Sequence, residues 1–159
     1  MTFHIITIFP KICNSYFAEG ILKRAIEEGI VEVKIHNLRD YAEDKHKTVD
    51  DTSYGGGPGM VLKIEPIFKC IENLKKNILK KGETYKIVLT SAKGNKFTQK
   101  TAVKMSKVDN IIFICGRYEG VDERVADNLV DIELSIGEYI LTGGELAAMI
   151  MTDSISRLL

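Results

Sequence analysis

At 159 residues, 45% hydrophobic and 28% charged, the chain has the length and balance of one globular domain, which excludes a disordered or low-complexity protein. The formal net charge is zero, yet residues 69 to 107 hold eleven lysines against Glu72 and Glu83, while residues 109 to 153 hold ten acids against Arg117 and Arg124. That asymmetry permits a basic face for phosphates; the plainer reading is lysines that only solvate two helices. No apolar run reaches the roughly 18 residues that span a bilayer, and Phe3–Phe9 is strand-like rather than a targeting segment, so a cytoplasmic protein away from membranes is expected. Cys13, Cys70 and Cys115 are widely spaced with no C-x-x-C pair, and read as reduced, buried thiols rather than a disulfide framework or zinc site.

In chain order, strand-like runs at 3–9, 31–36, 85–90, 111–115 and 130–134 alternate with helical patterns at Tyr16–Glu28, Ile64–Leu79, Thr98–Val108 and Glu145–Leu158. The alternation predicts an α/β fold with a mostly parallel sheet flanked by helices. The first helix carries Phe17, Ile21, Leu22, Ala25 and Ile26 on one stripe and ends near Gly29. The last is apolar nearly all round, which predicts burial on most sides or a second copy of the chain packed on it, hence a homodimer. Residues 42 to 60 form one long irregular stretch that ends in the Gly55–Gly59 cluster.

Two glycine-marked loops follow the fourth and fifth strand-like runs: Cys115-Gly116-Arg117-Tyr118-Glu119-Gly120, and Ser135 to Glu145 (SIGEYILTGGE). Loops of this kind at the ends of neighbouring strands build a pocket. Glycines let the backbone approach a ligand, tyrosines give flat apolar walls, and carboxylates fix polar groups. The combination suits a flat heterocycle bearing a cation.

Other chemistries are poorly supported. The Gly55–Gly59 cluster lacks a following Gly-Lys-Ser/Thr, and no G-x-G-x-x-G follows the first strand, which argues against nucleotide hydrolysis and a nicotinamide fold. His4, His36 and His46 lack metal-ligand spacing, and no serine or cysteine has a neighbouring histidine for a hydrolase triad. Asp122-Glu123 reads as a solvated turn or helix start. Arg117 and Glu119 read as a mutual ion pair or as ligand contacts, and Asp153 with Arg157 as an i,i+4 pair.

Three segments carry a resemblance: Asp50–Met60 (DDTSYGGGPGM), Cys115–Arg124 (CGRYEGVDER) and Ser135–Ala148 (SIGEYILTGGELAA). Together they resemble the bacterial tRNA (guanine-N1) methyltransferase family, whose members modify the guanine 3′ of the anticodon. The similarity runs from Phe9-Pro10 onward; Ser53 and Ala92 stand where the family has proline-containing sequence, and Glu138 stands for its aspartate. The resemblance implies a SPOUT-type fold with a deep C-terminal trefoil knot, S-adenosylmethionine as methyl donor, magnesium as a candidate further ion, tRNA as substrate and a homodimer. It implies a cofactor site made of Leu89, Ser91, Gly116, Tyr118, Glu119, Ile136, Gly137, Glu138, Tyr139, Ile140, Leu141, Gly143 and Gly144, with no metal ligands in the protein. Arg157 and Glu119 are its catalytic candidates, Arg157 against charge growing on the guanine oxygen. The general base and a helical tRNA-gripping domain are expected beyond residue 159, so residues 1–159 are expected to be a cofactor domain that binds without turnover. The competing expectation is a nucleotide- or RNA-binding module without chemistry.

Overall fold

The computed structural model describes residues 1–52 and 59–159. Seven strands and six α-helices are named here in chain order: β1 (Thr2–Thr7), α1 (Lys11–Phe17), α2 (Gly20–Glu27), β2 (Glu32–Asn37), β3 (Asp50–Thr52), β4 (Met60–Leu62), α3 (Ile64–Asn73), β5 (Tyr85–Lys96), α4 (Gln99–Met105), β6 (Asn110–Cys115), α5 (Glu123–Asn128), β7 (Ile132–Ser135) and α6 (Glu145–Ser156). Five strands form one sheet in the order β2-β1-β6-β5-β7, with every pairing parallel. Parallel strands must be covered on both faces, so the central ones read as unbroken apolar runs; all six residues of β6 are buried.

Alternation along the strands makes two cores. Phe3, Ile5, Val88, Ile111, Phe113 and Leu134 face one side, where Cys13 and Phe17 of α1, Leu22 of α2, Ala102 and Met105 of α4 and the apolar side of α6 cover them. Ile6, Ile87, Leu89, Ile112 and Ile114 face the other, under Ile67, Cys70 and Ile71 of α3 and Val125 of α5. Each fully buried Ile, Leu or Phe contributes about 1.5–3 kcal/mol over its exposed form. All three cysteines are buried and free, and burial pushes the Cys13 thiol up to about 11 and the Cys70 thiol up to about 12. Among the described residues no helix is long and apolar enough to cross a membrane.

The expected alternation of elements is present, with four differences. The helix expected at 16–28 is two, broken where Gly20 adopts φ +67, a left-handed conformation that favours glycine. The helix expected at 64–79 closes as a wider π turn over Leu74–Ile78. The strand expected at 85–90 runs on to Lys96, and its pairing with β7 shifts register between Thr90 and Asn95. The irregular stretch contains the antiparallel ribbon β3–β4, while Ser53, Tyr54 and the Gly55–Pro58 part of the glycine cluster lie outside the described residues.

His4, expected as a packed or surface strand residue, is fully buried. Its Nδ1 lies 3.0 Å from Nε2 of His36 on β2, and the two rings stack with centroids 5.3 Å apart.

Candidate functional site

The carboxyl ends of β5, β6 and β7 open into one cleft of about 400 Å³. That is where open α/β sheets place ligands, and the volume lies within the range of about 300–1,000 Å³ for small-molecule sites. Three segments make its walls: Leu89–Lys93 of β5, Gly116–Val121 after β6, and Glu133–Ile136 with Tyr139–Gly144 after β7.

Backbone bonds fix the middle loop on both sides. Glu119 N donates to Met60 O at 3.0 Å and Leu62 N to Gly120 O at 3.0 Å, which fastens it to β4. Gly144 N donates to Gly116 O at 2.9 Å, which fastens it to the start of α6. Gly120 N to Arg117 O at 3.0 Å closes a tight turn in which Tyr118 takes φ +60, a costly conformation for a non-glycine residue. Tyr118 and Tyr139 remain about half exposed at the rim, at 47% and 56%.

A buried charge pair locks the floor. Glu145, the first residue of α6, is 1% exposed and accepts from Thr7 Oγ1 at 2.6 Å. It also takes Arg117 through Nε at 3.0 Å and Nη2 at 3.0 Å, a two-pronged contact. Arg117 Nη1 then donates to Thr142 O at 3.1 Å, and the guanidinium carbon lies 4.8 Å from the centre of the Phe9 ring. Arg117 therefore pairs with Glu145 and not with Glu119, because the sharp turn after it sends the two side chains apart. Two glycines permit this packing: a Cβ on Gly143 would sit 2.1 Å from Arg117 Nε, and one on Gly144 would sit 1.9 Å from Thr90 Oγ1 and 2.9 Å from the Cys115 Cα.

Leu89, Ser91, Gly116, Tyr118, Glu119, Ile136, Tyr139, Ile140, Leu141, Gly143 and Gly144 all line the cleft, so the structure brings together eleven of the thirteen expected cofactor contacts. Gly137 and Glu138 do not line it. Gly137 lies beneath the Tyr139 ring, where a Cβ would approach Cε1 to 2.3 Å, and so shapes the wall from behind. Glu138 points to solvent and pairs loosely with Lys96 at 3.8 Å. Arg157 is also outside: it caps the far end of α6, exposed, about 20 Å along the helix axis from Gly144. Its expected partner Asp153 instead accepts from the Tyr16 hydroxyl.

Glu133, Glu145 and Thr90 belong to this region and were not singled out from sequence. A glutamate alternating in a strand reads as solvent-facing, and one in the first turn of a helix reads as an ordinary dipole partner. Asp122-Glu123 behaves as the simpler expectation had it, Asp122 capping α5 through Arg124 N at 3.0 Å. Lys86, Lys93 and Lys96 of the basic segment pair with Asp131, Glu123 and Glu138 of the acidic one. Among the described residues no group of three metal-ligating side chains gathers.

The protein-family model described as tRNA (Guanine-1)-methyltransferase TrmD matches residues 1–159. A tRNA (guanine-N(1)-)-methyltransferase of Methylacidiphilum infernorum is 51% identical over 159 residues, covering 100% of this chain and 67% of its own. One from Dictyoglomus turgidum is 52% identical over 154 residues, covering 97% of this chain and 60% of its own. The crystal structure of tRNA (m1G37) methyltransferase from Aquifex aeolicus superposes with a TM-score of 0.89 at 44% identity, over 100% of this chain and 70% of that one. The chain thus spans between 60% and 70% of the length of these three relatives. With the match unbroken from the first strand through both glycine-marked loops to α6, the chain belongs to the tRNA (guanine-1)-methyltransferase family.

Proposed function

We propose that this chain forms the S-adenosylmethionine site of an enzyme that methylates N1 of the guanine 3′ of the anticodon in tRNA. The observation that carries the reading is the cleft itself, where apolar walls and carboxylates converge on backbone that only glycine can supply at Gly143 and Gly144. The names of the relatives support the substrate. When bound, S-adenosylmethionine supplies a methyl group activated by its sulfonium. Leu89, Ile136, Tyr139 and Leu141 would sandwich the adenine, and Glu119 would face the cationic end. The Arg117–Glu145 lock holds these walls in place before the ligand arrives, which lowers the ordering cost of binding.

The reading includes a trefoil knot in the segment that bears the cleft loops, which rests on the family resemblance. It also includes a homodimer in the cytoplasm. Arg157 lies too far along α6 to serve its own cleft, and Leu146 and Ile150 leave an apolar stripe on the same helix, 51% and 48% exposed. A second copy packed on that stripe would both cover it and bring an arginine to the neighbouring cleft. Removal of the guanine N1 proton needs a base. Of the carboxylates in the cleft, Glu123 is tied to Lys93 at 2.5 Å, and Glu119 and Glu133 flank the space for the cofactor. Residues 1–159 alone are expected to bind cofactor without measurable transfer.

Calorimetric titration of the chain with S-adenosylhomocysteine, with and without magnesium, tests the site. Saturable binding that adenosine monophosphate does not match is the expected result. Equal affinity for both, or none for either, would overturn the reading, and a dependence on magnesium would place that ion in the site. Robust tritiated-methyl transfer to unmodified tRNA by these residues would place a base within them.

A further inference from the structure

Glu133 stands out among the groups in the cleft. It lies on β7 in register with Leu89 of β5 and lines the cleft two residues before the Ser135–Ile136 turn. Its Oε2 is enclosed and has no hydrogen-bond partner among the described residues. Lys93, the cation at the same end, gives its hydrogen bond to Glu123 at 2.5 Å and reaches Glu133 only through space. The backbone of Glu133 cannot retreat, because Gly94 packs against it so closely that a Cβ there would lie 2.6 Å from the Glu133 carbonyl carbon. An enclosed acceptor without a donor is costly, and it is tolerated where a ligand supplies the donor.

Resting on the S-adenosylmethionine reading, we propose that Glu133 accepts hydrogen bonds from the ribose hydroxyls of the nucleoside half. A carboxylate is an acceptor of up to four hydrogen bonds and has no donor of its own, so it suits a vicinal diol. Acidic side chains at strand ends serve sugar hydroxyls in this way in other open α/β sheets. Position separates the two ends of the ligand. Glu133 shares its wall with Leu89 and Ile136, the apolar side suited to the base, while Glu119 stands on the opposite loop against Gly59. The sugar, which joins the base to the charged end, is the part that lies beside Glu133.

The test is calorimetry on the whole chain with four probes: S-adenosylhomocysteine, its 2′-deoxy and 3′-deoxy forms, and 5′-methylthioadenosine, which lacks the amino-acid end. Glu133→Ala should weaken S-adenosylhomocysteine and methylthioadenosine alike, by about 10–100-fold, the worth of a hydrogen bond to a charged group. At least one deoxy form, already without its bond, should lose much less. Glu133→Gln, which keeps one acceptor, should fall between wild type and Ala. The ligand-free melting temperature should hold or rise in both variants, since an unpartnered carboxylate is removed. Equal losses on all probes, a loss confined to S-adenosylhomocysteine, no loss at all, or a lowered ligand-free melting temperature would each overturn the assignment. Failure of wild type to bind any nucleoside would instead sink the cofactor reading, and this proposal with it.

Discussion

Glu145 and Arg117 decide the cleft at the residue scale. A buried pair of this kind contributes little net stability against an apolar substitute, but removing one partner strands the other. Glu145→Ala leaves Arg117 and Thr7 without their acceptor. The expected cost is about 3–5 kcal/mol, read by urea denaturation, with Glu145→Gln less severe because it still accepts from Thr7. Gly143→Val acts on the same lock from the other side. Its side chain would displace Arg117, so the affinity for S-adenosylhomocysteine should fall at least tenfold while the far-UV spectrum is kept; unchanged affinity would refute the packing argument. The two cleft loops were legible because glycine, tyrosine and carboxylate after apolar runs announce a pocket, whereas the individual lining residues, Leu89 and Ser91 of β5 among them, came from the family resemblance. Arg117's partner was not, because sequence proximity favours Glu119 and only the turn at Tyr118 separates them.

At the scale of elements, the strands were the most legible feature. β6 is a fully buried parallel strand, and its unbroken apolar run over Ile111–Cys115 shows it plainly. α5, at six residues, and the ribbon strands, at three each, are too short for a hydrophobic period to register. α4 is capped by Thr98, whose hydroxyl accepts from Thr101 N at 3.3 Å. Thr98→Ala should cost about 1 kcal/mol, with no effect on ligand affinity.

The β1–β2 pair carries a pH dependence. Burial lowers the pKa of both His4 and His36, and His36, which also faces His4 and Lys34, falls to about 4 from 6.5. Both are neutral when folded, so below pH 6.5 the unfolded chain takes up protons first. Stability is therefore full above 6.5, declines as pH falls toward about 4, and levels below that. Lowered carboxylates such as Glu83 and Asp109, with ordinary values of 4.5 and 3.8, add separate losses that begin only where the histidine contribution is nearly spent and continue below pH 4. Urea midpoints between pH 7 and 5 should fall in wild type and flatten in His36→Asn; parallel curves would show that the pair does not titrate this way.

For the whole molecule, the exposed Leu146–Ile150 stripe on α6 is the feature with the largest consequence for assembly. Leu146→Lys with Ile150→Lys should abolish self-association in sedimentation at high micromolar concentration, and should raise rather than lower solubility. A wild-type monomer at that concentration would remove the homodimer from the reading. The α/β alternation was legible along the whole chain, whereas the strand order was not, since nothing in an apolar run says which neighbour it will take.

That order has a price in time. β1 pairs with β2 early in the chain but receives its second neighbour only when β6 arrives, Phe3 lying opposite Ile111. A ribosome adding about 5–20 residues per second leaves several seconds between the two events. During that interval the nascent chain carries a bare apolar sheet edge, the kind of surface that recruits other chains. Chaperone demand during synthesis should therefore peak before residue 110 emerges and fall sharply once Cys115 has cleared the exit tunnel.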